Sequence, residues 1–231
     1  MRRRRVLLSW SSGKDSAWAL HELRRQPDVE VVGLLTTVNE TVERVAMHGV
    51  RESLLATQAA ALGLPLWRVP LPWPCPNDVY EARFTALLER ARAAAIEHVA
   101  FGDLYLEDIR DYRIRQMRGS GIEPLFPIWT APADTPALAR RMIASGLRAV
   151  LSCVDPQQLP ARLAGREFDE ALLGELPPGA DPCGERGEFH TFCYDGPMFA
   201  AGLAVRVGDV VTRDGFCFAD LRLGTDDSGW S

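Results

Sequence analysis

The sequence lacks three features that would place it in other classes of protein. Its 231 residues include five cysteines but no C-x-x-C pair, which argues against a disulfide framework or a zinc site and predicts five reduced thiols. No apolar run approaches the roughly 18 residues of a membrane-spanning helix. The formal net charge is -5, with both signs spread along the chain, so a basic footprint for nucleic acid is missing.

The pattern of the first residues is not the one expected of a secretory leader. The basic stretch Arg2 to Arg5 is followed by only three apolar residues before Ser9, whereas a signal peptide needs about 7 to 15 there. We therefore expect a soluble, cytoplasmic protein with no membrane and no nucleic-acid partner. The richness in alanine, leucine and arginine is a bias that a GC-rich bacterial genome can produce.

Short apolar runs alternate with helical patterns in the first half of the chain. The runs "RVLLSW", "VEVVGLLTTV", "PLWRVPL" and "HVAFGDL" precede helical patterns at 14–25, 49–62, 78–95 and 107–118. Such alternation predicts βαβ units with right-handed crossovers, and hence an α/β fold with a doubly wound parallel sheet. Ligands of these sheets bind beyond the carboxyl ends of the strands.

The pattern changes after the proline-rich stretch "EPLFPIWTAPADTP". A helical pattern at 136–146 and the strand-like run "LRAVLSCVD" come first, and three further strand-like segments follow a loop-rich stretch. These elements predict a smaller C-terminal α+β domain. We place the two domains at 1–130 and 131–231.

The segment "SWSSGKDS" puts a small-residue turn between the first strand and the first helix. Free N–H groups and the positive helix end make such a turn an anion site. It is not a Walker A loop, because Leu8 and Asp15 stand where that motif needs a glycine and a Ser or Thr. An aspartate beside a polyphosphate is repelled unless a cation lies between them, so Asp15 predicts bound Mg²⁺, and Lys14 would add positive charge.

The same loop carries a resemblance. "SSGKDS" is similar to the S-G-G-x-D-S loop of the PP-loop ATP pyrophosphatases, which cleave ATP between the α and β phosphates to adenylate a substrate. The blocks "RVAMHGVRESLLATQAAALGLPL", "FGDLYLEDIRDYR", "GIEPLFPIW" and "CGERGEFHTFCYDGPMF" resemble, in order and spacing, those of the diphthine–ammonia ligase family. Together the blocks reach from about residue 5 to 199.

The resemblance implies an adenine nucleotide alpha hydrolase-like fold, with a PP-loop ATP-binding domain at 1–130 and a substrate or closing domain at 131–231. It implies ATP and Mg²⁺ as cofactors, and an amide-forming reaction between a carboxylate and ammonia that releases AMP and pyrophosphate. The partners would be ATP, ammonia and an unknown carboxylate acceptor, and a homodimer is the default expectation. The composition would make this a bacterial member of the family.

The loop, the ligand edge of the sheet and the resemblance together predict the nucleotide contacts. Ser12 departs from the family pattern, which has glycine there, and a serine at that place predicts a negative φ. Taken alone, a histidine before a helix more often caps or packs, and a Gly-Asp pair is also ordinary turn chemistry. The predicted cofactor-binding residues are Ser9, Ser11, Ser12, Gly13, Lys14, Asp15, Ser16, Thr36, Met47, His48, Gly102 and Asp103.

The stretch "GERGEFHT" supplies two acids and a histidine around two glycines. Such a group suits the capture of ammonium or its deprotonation, although a solvated turn is the alternative. If a strand begins at Glu188, then Glu188 and His190 share a face. The predicted catalytic residues are Lys14, Asp15, Asp103, Glu185 and Glu188, and the predicted metal ligand is Asp15.

Two other functions stay open. One is an ATP-binding sensor on the same fold without catalysis, for which Asp15 would have no use. The other is a PP-loop enzyme that modifies tRNA, and such enzymes usually show paired reactive cysteines or an added RNA-binding module. Neither feature is evident in this sequence.

Overall fold

The computed structural model describes residues 2–39, 44–45 and 50–224 and confirms the α/β fold class. Within these residues five parallel strands lie in the order β4-β2-β1-β5-β6, and the short β3 runs antiparallel beside β2. The strands are β1 (Arg4–Ser9), β2 (Val29–Asn39), β3 (Arg44–Val45), β4 (Leu66–Leu71), β5 (His98–Ala100) and β6 (Glu123–Leu125). The connecting helices are α1 (Lys14–Arg24), α2 (Glu52–Leu62), α3 (Asn77–Ala93) and α4 (Glu107–Met117).

The central strand β1 shows why helices cover both faces of this sheet. Its side chains alternate in direction, so Val6 and Leu8 enter one hydrophobic core while Leu7 enters another. The first core contains the apolar face of α1, including Leu20, and the second contains Leu88 of α3. A strand that is buried on both sides reads as a continuous apolar run, which is why "RVLLSW" shows no polar alternation.

A second, antiparallel sheet is built from the C-terminal segments in the order β8-β7-β10-β9. Its strands are β7 (Arg148–Val154), β8 (Phe189–Asp195), β9 (Val205–Arg213) and β10 (Phe216–Leu223), with helices α5 (Thr135–Ala144) and α6 (Glu170–Glu175) beside them. Val150 and Phe192 of this sheet belong to the same core as Leu8. One hydrophobic core therefore joins the α1 side of the first sheet to the second sheet.

Most of the elements that the sequence predicts are present, and the five cysteines are free thiols, as expected. In the described part of the chain, no helix combines the length and the apolar character needed to cross a bilayer. The sequence did not predict β3, β6 or α6. The domain division near residue 131 stays a prediction.

Candidate active site

A pocket of about 260 Å³ lies at the carboxyl ends of β1 and β5. Three segments line it: the phosphate loop, defined here as residues 9–16, the segment from the end of β5 into α4, and the loop that enters β8. The lining residues are Ser9, Ser11, Gly13, Lys14, Asp15, Ser16, Phe101, Gly102, Asp103, Arg113, Gly184, Glu185, Gly187, Phe189, His190 and Thr191. The pocket thus brings together most of the residues that the sequence predicts for the site.

Ser12 adopts a conformation that the sequence did not predict. Its φ is +69°, in the left-handed region, so the predicted negative φ is wrong. This geometry lets the Ser12 carbonyl accept hydrogen bonds from Cys193 N and Gln58 Nε2, both at 2.9 Å. The side chain is fully buried, its hydroxyl has no hydrogen-bond partner in the described chain, and it does not line the pocket. Ser12 therefore fixes the conformation of the loop through its backbone, and its side chain stays outside the pocket.

The start of α1 is fixed by contacts from both sheets. The backbone N–H of Lys14 donates to Thr191 Oγ1 of β8 at 3.0 Å. The Ser16 hydroxyl donates to the Gly13 carbonyl at 3.0 Å. A Cβ on Gly102 would lie 3.0 Å from backbone atoms at the start of α1, so only glycine lets the segment after β5 approach so closely. The first-turn N–H groups, which have no partner inside a helix, are thereby placed at one pocket.

Lys14 and Asp15 form a buried ion pair at the head of this helix. The Lys14 ammonium is 2% exposed and donates to both carboxylate oxygens of Asp15 at 2.9 Å and to the Cys183 carbonyl. Burial acts to lower the pKa of Lys14, but the charge and hydrogen bonds of Asp15, together with smaller contributions from neighbouring groups, outweigh it and the net shift is upward. Burial raises the pKa of Asp15, and Lys14 opposes that rise. The charge of Lys14 is thus tied to Asp15.

Glu185 enters the pocket from the loop that precedes β8. Its Oε1 accepts a hydrogen bond from Leu104 N at 2.7 Å, which joins this loop to the segment after β5. Burial raises the pKa of Glu185 to about 7, and the negative charges of Asp15 and Asp103 act in the same direction. A carboxyl group with this pKa can accept or donate a proton near neutral pH.

Asp103 and Arg113 line the wall beside Glu185. Arg113 Nε lies 3.7 Å from Asp103 Oδ2, and the guanidinium lies 4.8 Å from the centre of the Phe101 ring. Burial raises the pKa of Asp103, while Arg113 opposes the rise. His190 also lines the pocket, and burial lowers its pKa to about 4, which keeps the imidazole neutral at pH 7.

Glu188 lies outside this pocket, which corrects its predicted grouping with His190. Strand β8 begins at Phe189, so the condition for a shared face with His190, a strand that begins at Glu188, is not met. Its carboxylate is 1% exposed and accepts hydrogen bonds from Asp181 N at 2.8 Å and Arg186 N at 3.0 Å. These contacts hold the shape of the acid loop, defined as residues 181–188.

Thr36 also lies outside the pocket and makes a structural contact. It is buried, and its hydroxyl donates to the Trp10 carbonyl at 2.7 Å. It does not line the pocket. Met47 and His48 lie outside the described residues. The predicted nucleotide roles of these three residues stay predictions.

Asp181 was missed by the sequence reasoning, although it organises the acid loop. Its carboxylate accepts from Cys183 N at 3.0 Å, Glu185 N at 3.1 Å and the Tyr105 hydroxyl at 2.9 Å. An aspartate that accepts from the N–H two residues later is ordinary turn chemistry, so "DPCGE" carried a local signal. Thr191 and Gln58, which hold the phosphate loop, gave no such signal because their contacts are long-range.

The donor set fits one Mg²⁺ ligand from the protein. Among the described residues there is no group of three or more His, Cys, Asp or Glu side chains that could hold a metal ion. Mg²⁺ commonly takes only one or two carboxylates and completes its shell with water and substrate phosphates. Asp15, 26% exposed in the pocket, fits that pattern.

Comparison with known proteins gives a consistent result. The family models described as "Diphthamide synthase N-terminal domain" and "Diphthamide synthase C-terminal domain" match residues 4–124 and 134–220. A protein of Bos taurus named diphthine–ammonia ligase is 28% identical over 179 residues, which is 71% of this chain and 66% of that protein. The protein of the same name from Mus musculus is 29% identical over 240 aligned residues, 94% of this chain and 88% of that protein. The alignment with the bovine relative thus spans slightly less than two thirds of its length.

Proposed function

Because the chain belongs to the diphthamide synthase family, as its sequence blocks predicted, we propose that it is an ATP-dependent ligase that forms an amide from a carboxylate and ammonia. The products besides the amide would be AMP and pyrophosphate. The observation that carries the proposal is the pocket itself. It places a helix start suited to phosphate beside Glu185, an acid with a pKa of about 7.

The phosphate loop would bind ATP through its backbone and its hydroxyl groups. The start of α1 suits an anion through the first-turn N–H groups other than that of Lys14, which is bound to Thr191, and Ser11 and Ser16 line the same pocket. A helix end contributes only about 0.3 to 1 kcal/mol to an anion, whereas micromolar binding needs about 8 kcal/mol. Contacts to the base and ribose must therefore supply much of the affinity. The pocket of about 260 Å³ has room for the reacting end of a nucleotide rather than for all of it.

Asp15 would hold Mg²⁺, which when bound supplies positive charge to the phosphates as pyrophosphate leaves. Lys14 has a supporting role in this arrangement. Its ammonium contacts both oxygens of Asp15 at 2.9 Å, so it favours the ionised carboxylate that a metal requires.

The reaction would proceed in two steps. A carboxylate oxygen of the acceptor attacks the α phosphorus, and the bond to pyrophosphate breaks, which gives an acyl-adenylate. The ammonia nitrogen then attacks the acyl carbon, AMP leaves with the electron pair of the C–O bond, and the nitrogen gives up a proton. Glu185 would accept that proton, because its carboxylate lines the pocket and its pKa lies near neutrality.

The alternatives have less support from the described residues. A thionucleotide-forming enzyme needs an activated thiol, but four of the five cysteines are buried, and burial raises the pKa of Cys153 and Cys183 to about 12. A sensor that only stores ATP has no use for Glu185 in the pocket. The acceptor, the homodimer, the bacterial source and the cytoplasmic location stay predictions.

The test uses ATP labelled with ³²P in the α phosphate and measures the label that appears in AMP. The reaction also contains Mg²⁺, ammonium and a cell-extract fraction as the source of acceptor. We expect extract-dependent AMP from the native chain, and at saturating ammonium a rate that rises as the pH passes through about 7 and Glu185 loses its proton. Glu185→Gln should lower the rate by about a hundredfold and abolish that rise. Glu89→Gln, at an exposed acid of α3, is the matched control. Formation of ADP alone, or of no AMP with any fraction, would contradict the proposal.

A further inference from the structure

Asp103 and Arg113 face each other at the pocket without a hydrogen bond between them. Arg113 Nε and Asp103 Oδ2 are 3.7 Å apart, which is beyond hydrogen-bond range. Both atoms are buried, and neither has a hydrogen-bond partner in the part of the chain that the structure describes. Folded proteins rarely leave such atoms unsatisfied, so water or a ligand usually completes their bonding. The pair marks a place where an incoming group fits.

Arg113 is also the more available of the two cations, Lys14 and Arg113, in the described lining of the pocket. The other, Lys14, is bound to both oxygens of Asp15 at 2.9 Å and to a backbone carbonyl. Arg113 has the 3.7 Å contact with Asp103 and ring contacts, and its side chain is 24% exposed. A guanidinium offers five N–H donors in a planar fork, which matches a carboxylate in shape and charge.

Arg113 lies on the β5 side of the pocket, beside Gly102 and Asp103, which are also predicted nucleotide contacts. Strand β1, which leads into the phosphate loop, lies between β2 and β5. Thr36, predicted to contact the nucleotide, is on β2, whereas Arg113 follows β5 and shares the pocket with Glu185. A group bound at Arg113 would thus lie on the Glu185 side of the phosphate loop.

We propose that Arg113 binds the carboxylate of the acceptor, and that Asp103 is a positioning residue that orients the guanidinium. The inference rests on the proposed ligase function and names the residue that selects its acceptor. The pocket lining contains three acids, Asp15, Asp103 and Glu185, whose negative charges repel the carboxylate of the acceptor. A cation near Glu185 offsets that repulsion, and Arg113 is placed to do so.

The test separates binding of nucleotide from binding of acceptor. The variants are Arg113→Gln, which removes the charge, and Arg113→Lys, which keeps the charge but not the planar fork. Arg115→Gln is the matched control, because Arg115 is exposed on the same helix and outside the pocket lining. Calorimetry measures the affinity for α,β-methylene-ATP with Mg²⁺. The AMP assay, with increasing amounts of the extract fraction, measures the half-saturating amount of acceptor.

For Arg113→Gln we expect the affinity for the ATP analogue to stay within about twofold of the native value. The half-saturating amount of extract should rise about tenfold or more, and tenfold corresponds to about 1.4 kcal/mol of lost binding free energy. Arg113→Lys should lie between Arg113→Gln and the native chain, and Arg115→Gln should match the native chain. Thermal unfolding checks that each variant folds, and Arg113→Lys keeps the test valid should Arg113→Gln fail to fold.

Two results would overturn the inference about Arg113 but leave the proposed ligase function in place. One is native half-saturation by extract in both Arg113 variants. The other is a tenfold loss of analogue affinity in Arg113→Gln, which would assign the guanidinium to a phosphate of the nucleotide. Absence of AMP formation by the native chain is a different result, because it removes the proposed ligase function and the inference with it.

Discussion

Burial of Glu185 in the pocket lowers the free energy of unfolding when its carboxyl group is ionised. Burial raises its pKa from 4.5 to about 7, so the folded chain holds this proton more tightly than the unfolded chain does. The free energy of unfolding therefore falls as the pH rises from about 4.5 to 7. We expect Glu185→Gln to remove that fall and to raise the free energy of unfolding at pH 8 by about 1 to 2 kcal/mol. Urea unfolding at pH 5 and pH 8 measures this, and an equal effect at both values would contradict it.

Two features of Ser12 lower the free energy of unfolding, and substitutions can separate their effects. Its φ of +69° is unfavourable for a residue with a Cβ, and its buried hydroxyl has no partner in the described chain. Ser12→Gly relieves both and should raise the free energy of unfolding by about 1 kcal/mol, after the greater backbone freedom of glycine in the unfolded chain is counted. Ser12→Ala relieves only the second and should have a smaller effect. Urea midpoints compare the three chains, and destabilisation by both substitutions would instead show that the hydroxyl is bound.

Among the secondary-structure elements, the approach of β5 to α1 depends on Gly102. A Cβ there would lie 3.0 Å from the carbonyl carbon of Asp15 and the nitrogen of Ser16, and backbone atoms cannot move aside as a flexible side chain can. We expect Gly102→Ala to displace the start of α1 and to weaken α,β-methylene-ATP binding by about tenfold or more, measured by calorimetry. Gly174→Ala in α6 is the control, because its Cβ would meet no atom within 4 Å. Equal affinities in the two variants would disprove the steric role.

The order of elements in the first half was predictable because each βα unit is a local pattern. Apolar runs marked the buried strands, and the rule that ligands bind at carboxyl strand ends correctly brought Asp15 and Asp103 to one pocket. The start of β8 was not predictable in this way. Pairing of Val154 with Phe189 sets it, and that contact between distant segments is what leaves Glu188 outside the strand. Likewise β6 is three residues long and contains a proline, so only its pairing with β5 identifies it.

Across the whole molecule, an ion pair joins the start of α2 to the second sheet. Arg51 donates to both oxygens of Asp220 at 2.9 and 3.0 Å, and the Asp220 side chain is 14% exposed. Burial acts to raise the pKa of Asp220, but Arg222 and Arg51 outweigh it and the pKa falls below 3.8. The pair therefore stabilises the fold above pH 3.8, and this contribution is lost as the pH falls through the lowered pKa.

We expect Asp220→Asn to lower the free energy of unfolding by about 1 to 2 kcal/mol at pH 7, with a smaller difference at pH 3. The exposed pair of Arg4 and Asp28 provides the control, and Asp28→Asn should cost less than about 0.5 kcal/mol at pH 7. Chemical unfolding of both variants at the two pH values measures these differences. Similar losses in the free energy of unfolding for the two substitutions would show that the pair of Arg51 and Asp220 stabilises the fold no more than the exposed pair does.

The hydrogen bond from Lys14 N to Thr191 spans 177 positions of the chain. With the bond from Cys193 N to Ser12 O, it fixes the phosphate loop from a strand that follows every strand of the first sheet in the sequence. During synthesis on the ribosome the loop emerges early, but it gains this support only after β8 has emerged and paired with β7. A chain whose translation stops before β8 therefore lacks the contacts that shape the proposed ATP site, and the order of synthesis itself delays completion of that site until β8 has paired with β7.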